Sequence, residues 1–264
     1  MAKIALIDAD SIVYRVCCAV EDKTVWNELE VLTGVEEELD IEYSIDLDVM
    51  YTTIDGLIEN ILFATECKKA MICIGDGTKN FRFNNPLGYK ENRKELRKPQ
   101  GFKEAVDYLV KEHKARLIGN NLIEVDDEVV YLKTKYPDKY ILCAIDKDVL
   151  YQTEGEHYNY VKDEFITVTK EDTIKYLFYQ ALVGDVSDGY KGCKGVGDKG
   201  AKKLLDELTL GKKIPVDKLE GYLYKMLLPT FISKGHSEDY FLQTLRLASM
   251  HQYNGSTVDL FSVK

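Results

Sequence analysis

An α/β fold is predicted by three features of this 264-residue chain: a central, mainly parallel sheet flanked by helices, with a helical subdomain at the C-terminal side. First, the short apolar runs Ile4-Ala5-Leu6-Ile7, Met71-Ile72-Cys73-Ile74 and Ile141-Leu142-Cys143-Ala144-Ile145 have the length and composition of strands buried on both faces. Second, segments with helical spacing separate them, as parallel pairing requires. Third, an acid follows each run, at Asp8, Asp76 and Asp146. That is the sheet edge where open α/β folds place their sites.

Taken in order, residues 3–7 read as the first strand, and the turn Asp8-Ala9-Asp10-Ser11 opens a helix through Val13 and Val16. Residues 21–45 carry no clean period and read as a variable insertion with a β-hairpin. Leu47, Met50, Ile54, Leu57, Ile58 and Ile61 recur at helical spacing over 46–66, so an amphipathic helix returns the chain to a strand at 69–75. Residues 77–101 are polar and basic, broken by Gly77, Pro86, Gly88, Pro99 and Gly101, which predicts a mobile active-site segment. Helical character returns over 102–113. A short strand at 115–118, a helix capped by Asp126 and Asp127, a strand at 139–145, strand-like pieces at 157–168 and a helix opened by Thr169 follow.

From Gly184 the composition changes. Gly184, Gly189, Gly192, Gly195, Gly197 and Gly200 lead into Ala201-Lys202-Lys203-Leu204-Leu205. A glycine-rich turn feeding a lysine-bearing helix start offers backbone N–H groups to a phosphate. The predicted division is therefore an α/β domain over 1–182 and a helical subdomain over 183–264.

The net charge of −10 argues against a polyanionic partner, but its distribution argues the other way. Residues 89–103 carry Lys90, Arg93, Lys94, Arg97, Lys98 and Lys103, whereas much of the negative charge sits on residues 21–48, including Glu36-Glu37-Glu38. Basic patches beside an acidic cleft suit a phosphodiester once cations neutralise the acids. Six cysteines show no CxxC spacing, so buried reduced thiols are expected and a zinc site is not. No apolar stretch approaches a membrane span and no signal pattern opens the chain, which predicts a cytosolic protein.

Nine acids form the candidate site: Asp8, Asp76, Glu124, Asp126, Asp127, Asp146, Asp148, Asp185 and Asp188. Any one of them can be read as a solvated helix cap. Four separate acidic groups near strand and helix ends make that reading poor for the set. Carboxylates gathered in one place share protons or bind cations, and hard oxygen donors alone favour Mg²⁺ or Mn²⁺. Lys90 and Arg93, three residues apart, suit a helix face that would meet a phosphate. The four histidines are scattered and read as structural.

These segments resemble the 5′ nuclease, or flap endonuclease, superfamily with its PIN-like fold, and within it the free-standing 5′→3′ exonucleases of bacteriophages. The matching stretches are Ala5-Leu6-Ile7-Asp8, Gly75-Asp76-Gly77-Thr78-Lys79-Asn80-Phe81-Arg82, Tyr89-Lys90-Glu91-Asn92-Arg93-Lys94, Glu124-Val125-Asp126-Asp127, Asp146-Lys147-Asp148 and Gly184-Asp185-Val186-Ser187-Asp188-Gly189-Tyr190. The resemblance implies that eight of the acids hold two Mg²⁺ or Mn²⁺ ions, directly or through water, with Asp127 beside them. It implies a basic arch over about 84–113, with Lys90 and Arg93 on the scissile phosphate, Asp8 and Asp76 in catalysis, and Tyr89 and Lys94 near the DNA. Arg15 matches an arginine that follows the first aspartate in many members. Residues 192–205 match a helix-two-turns-helix module, in which Lys194, Gly195, Gly197, Lys199, Lys202 and Lys203 would contact duplex DNA and a K⁺ ion can sit. The implied substrates are duplex DNA with a 5′ end, RNA-DNA hybrids and 5′ flaps, in phage DNA replication within the host cytoplasm.

Three departures stand out: Asp10 replaces a small polar residue, the 21–48 insertion is unusually acidic, and only 34 positions separate Lys90 from Glu124, short for threading a long single strand. Two rival readings are a PIN-type ribonuclease, which would need neither Asp185, Asp188 nor the lysine-rich hairpin, and a catalytically silent DNA-binding replication accessory protein, which would not need the full acid set.

Overall fold

The computed structural model describes residues 2–26, 40–78, 80–93, 97–119 and 123–250. The chain runs β1 (Ile4–Asp8), α1 (Asp10–Val20), a ribbon of β2 (Glu21–Trp26) and β3 (Asp40–Ile45), α2 (Leu47–Ala64), β4 (Ala70–Gly75), α3 (Phe102–Lys111) and β5 (Arg116–Ile118). It continues through α4 (Val125–Lys135), β6 (Tyr140–Cys143), α5 (Lys147–Tyr151), β7 (Gly155–Asn159), β8 (Glu164–Val168) and α6 (Lys170–Val183). The short pair β9 (Gly184–Asp185) and β10 (Tyr190–Lys191) then leads to α7 (Asp198–Thr209), α8 (Val216–Ser233) and α9 (Glu238–Ala248).

The central sheet has the order β5-β4-β1-β6-β7-β8. All neighbours are parallel except β7 and β8. The chain first builds outward from β1 through β4 to β5, then crosses to β6 on the other side. The order therefore switches between β1 and β6, where the crevice of an open α/β sheet forms.

Burial explains the apolar runs. Ala5 and Ile7 of β1 face one cluster with α1, α2 and α3, while Leu6 faces another with α4 and α5. A strand covered on both faces cannot alternate polar and apolar residues. A third cluster joins α6 to α7, α8 and α9 through Phe178, Leu182, Leu205, Leu223, Leu227 and Phe241. The core of the C-terminal helical unit thus begins at α6, upstream of the glycine-rich segment. Among the described residues, no helix is long and apolar enough to cross a membrane.

Two sequence expectations need correction. Asp126 and Asp127 do not cap α4; Glu124 does, in a capping box whose other member is Asp127. The reason is local: the Asp127 carboxylate reaches back to the Glu124 N–H at 3.1 Å, which fixes Glu124 one step earlier. The segment before α3 is also less free than its composition suggests. Asn80, Arg82 and Tyr89 are buried, and Lys90 with φ 51° precedes a single 3-10 turn, Glu91–Arg93, in place of a helix. The acidic triplet Glu36-Glu37-Glu38 lies outside the described residues.

Candidate active site

A cleft of about 1130 Å³ opens at the switch point, and Asp8, Asp126, Asp146, Asp148, Asp185 and Asp188 line it together with Lys90 and Arg93. Each acid is delivered by the end of an element. Asp8 closes β1 and is 2% exposed. Asp146 follows β6 and caps α5, accepting from the Asp148 N–H at 2.8 Å. Asp126 lies in the first turn of α4.

Asp185 and Asp188 flank the loop between β9 and β10, and Asp185 accepts from the Asp188 N–H at 2.9 Å. That loop depends on Gly184, at φ 77°, where a Cβ would stand 2.3 Å from the Gly192 nitrogen. Gln180 of α6 links the groups by donating to Asp148 at 2.9 Å and Asp185 at 3.1 Å, and the Tyr176 hydroxyl donates to Asp148 at 2.9 Å. Neither Gln180 nor Tyr176 was singled out from sequence; their four-residue spacing, which puts both on one face of α6, is the one signal that links them.

The electrostatics are those of crowded like charges. Burial, with Asp10 and Asp146 adding, pushes the Asp8 carboxyl up to about 8. Burial and then Asp146 push Asp148 up to about 7. Asp126 is held well above the carboxylate range by burial, then by Asp8 and Asp146. Among the described residues, no lysine or arginine forms an ion pair with Asp8, Asp126, Asp146, Asp148 or Asp185. An all-oxygen, under-neutralised donor set of this kind fits hard divalent cations. As the side chains stand, no three acids, histidines or cysteines among the described residues already converge as a metal cage.

The other predicted residues are placed differently. Glu124 sits behind the cleft, where its carboxylate takes hydrogen bonds from Lys90 at 2.6 Å, Tyr89 at 2.5 Å and Arg82 at 3.0 Å. Burial alone would raise it, but the Lys90 and Arg82 charges outweigh burial and hold it below its ordinary value. Asp127 is fully buried and gripped by both terminal nitrogens of Arg82 at 2.6 and 2.7 Å. Burial raises Asp127 and the Arg82 charge opposes that rise. This fork leaves Asp127 a supporting anion away from the cleft lining. Arg82 also donates to the Ser249 carbonyl at 2.8 Å, so it ties the α4 start to the turn after α9. Its structural importance was invisible in sequence, where it reads as one more basic residue.

Asp76 does not reach the cleft lining. Its carboxylate accepts from the Thr78 N–H and hydroxyl at 2.8 and 2.6 Å and covers the Gly119 α-carbon. Asp10 holds the end of β4 instead, accepting from the Gly75 N–H at 2.8 Å and lining the cleft beside Asp8. The spacing Asp8-Ala9-Asp10 was the available signal.

Tyr89, expected to meet DNA, is 2% exposed and engaged with Glu124. Lys90 donates its backbone N–H to the Asp188 carbonyl at 2.7 Å, and Arg93 pairs with Asp188 at 3.0 Å, so both cations border the acids. Arg15 is exposed on α1, and Lys94 lies outside the described residues. Lys194, Gly195 and Gly197 are exposed in the turn before α7, on whose surface Lys199, Lys202 and Lys203 stand. Lys202 reaches the cleft while pairing with Asp198 at 2.9 Å.

A parallel sheet with carboxylates over its switch point, closed on one side by a helical unit, is a 5′ nuclease architecture. The structure superposes on the flap endonuclease of bacteriophage T5, solved in complex with DNA and metal ions, with a TM-score of 0.61 and 14% identity over 94% of this chain and 89% of that one. In sequence, the chain is 30% identical over 115 residues to an exonuclease of Escherichia phage T7 and 34% identical over 97 residues to a 5′-3′ exonuclease of Mycoplasmopsis pulmonis. These matches cover 42% and 36% of this chain and 38% and 32% of the relatives, so the chain matches about a third of the length of each. No family model matches it. The chain thus shares the fold of a 5′ nuclease and, over about a third of their length, is similar in sequence to exonucleases of bacteriophage and bacterial origin.

Proposed function

We propose that the chain is a divalent-metal-dependent 5′→3′ exonuclease that hydrolyses phosphodiesters at 5′ ends of duplex DNA. The same reading extends to RNA primers in RNA-DNA hybrids and to 5′ flaps, in DNA replication. The observation that carries it is the gathering of seven carboxylates, Asp10 among them, from four chain segments along one cleft with Lys90 and Arg93 at its side.

Asp8, Asp126 and Asp146 would hold one Mg²⁺ or Mn²⁺ ion, and Asp148, Asp185 and Asp188 a second. When bound, such ions lower the pKa of an attacking water and neutralise a leaving oxygen. The remaining work falls to the chain itself. Gln180 orients Asp148 and Asp185, and Tyr176 orients Asp148, through their hydrogen bonds. Lys90 exchanges its contact with Glu124 for the scissile phosphate, and Arg93 leaves Asp188 to meet the same group, where negative charge grows in the transition state. The turn before α7 and its lysines hold the uncleaved duplex through backbone phosphates, and a K⁺ ion at that turn belongs to the same reading.

The test is cleavage of 5′- and internally labelled duplex, nicked, flap and hybrid substrates with and without Mg²⁺. Metal-dependent release of short products from the 5′ end is expected. Binding without cleavage of any substrate would favour the accessory-protein reading instead.

A further inference from the structure

A second groove, of about 440 Å³, opens beside the carboxylate cleft between β8, α6 and α7. Tyr151, Tyr176, Tyr179 and Lys202 line both cavities, so one continuous surface leads from Asp148 into the groove. The three rings form a row. Tyr151 and Tyr176 stack with centroids 5.3 Å apart, and Tyr176 and Tyr179 follow at 5.6 Å. Hydroxyl contacts fix the row: Tyr176 donates to Asp148 at 2.9 Å and Tyr179 to Asp198 at 2.6 Å. Rings already ordered in the free protein lose little entropy when something stacks on them.

Charge in the groove is balanced. Lys175 and Lys202 face Asp172 and Asp206, the Asp172 carboxylate is occupied by Thr169 at 2.6 Å, and Lys175 pairs with Glu171 at 2.6 Å. A phosphate track would carry a surplus of cations. Aromatic walls with little net charge suit a base, and the volume falls within the roughly 300–1,000 Å³ of sites that enclose small ligands.

We propose that this groove is a stacking subsite for an unpaired nucleotide of the nucleic acid held in the cleft, its base on the tyrosine row and its phosphate at Lys202. The proposal rests on the nuclease reading above, because the strand reaches the groove through the cleft. Stacking of this kind tolerates any base, since every base has a π face.

The test uses a short single-stranded oligonucleotide carrying 2-aminopurine and a blunt duplex of the same sequence, both in Ca²⁺. Wild type and Tyr151→Phe should bind the single strand and quench its 2-aminopurine. Tyr151→Ala should bind it at least about fivefold more weakly with an unchanged salt slope, while its affinity for blunt duplex changes less than about twofold. Tyr151→Leu repeats the test with an apolar side chain should the alanine variant unfold. Absence of quenching in the wild type, or equal losses on single strand and duplex, would overturn the subsite. Cleavage of the blunt duplex by wild type in Mg²⁺ is followed in parallel. Cleavage without quenching removes the subsite alone, whereas loss of both cleavage and binding removes the nuclease reading with it.

Discussion

Asp126 and Asp146 approach the cleft from different elements, and neither has a cationic partner among the described residues. Replacing either by Asn removes a charged donor without changing its shape. Turnover should fall at least about a hundredfold in each variant, with duplex binding in Ca²⁺ retained, as read by single-turnover cleavage beside a binding titration. Arg82 presents the opposite case, since its partner Asp127 is buried with it. Arg82→Met leaves a buried carboxylate without its cation, and stability to denaturant should drop by about 3–5 kcal/mol. Arg82→Lys should recover only part of that, because an ammonium cannot span both oxygens of Asp127 as the guanidinium fork does.

At the scale of elements, the site depends on two short connections. The β9–β10 loop holds Asp185 and Asp188, and its glycine at 184 is enclosed by backbone at Gly192 and Tyr190. Gly184→Ala forces that backbone apart and adds strain at a positive φ, so both melting temperature and cleavage should fall. A variant indistinguishable from wild type by thermal melting would show that the loop tolerates the shift. The start of α7 does different work. Lys199 and Lys203 are exposed there, and Lys203 has only a 3.7 Å pairing with Glu207. Neutralising both should reduce the slope of log affinity against log salt by about two, one for each lost phosphate contact, and leave the cleavage rate at saturating DNA within a few-fold of wild type. An unchanged slope would move the duplex track to the basic stretch 89–103.

Across the whole molecule, the carboxylate cluster sets how stability responds to pH. Burial and the neighbouring acids raise Asp8 to about 8 and Asp148 to about 7, against an ordinary value of 3.8. Between those limits the folded chain binds more protons than the unfolded one, so this contribution to stability is full below about pH 4 and is lost as pH rises through 7 and 8. Melting temperature in a chelator should therefore decline over that window. Mg²⁺ should flatten the decline, because a cation replaces the protons as counter-charge. Parallel curves with and without Mg²⁺ would mean that the acids do not share a cation.

The sequence by itself determined the sheet and the general position of the acids, because buried parallel strands must be apolar throughout and their ends are where polar residues can emerge. The strand predicted over 3–7 and the one found at Ile4–Asp8 differ by a single residue, and the insertion was legible as a hairpin because its period fails where the helices on either side keep theirs. What sequence spacing could not determine was which acids face one another. Asp10 and Asp76 are both close in sequence to strand ends, yet hydrogen bonds to Gly75 and Thr78 turn the first toward the cleft and the second away. The same limit hid Arg82, Gln180 and the tyrosine row, whose partners lie 28 to 45 positions away in several cases and meet only when α4, α5 and α6 pack around the sheet. Periodicity reports what one element buries. Pairing across elements is decided by tertiary packing, since the desolvation of each charged group fixes its partner only once its neighbours are in place.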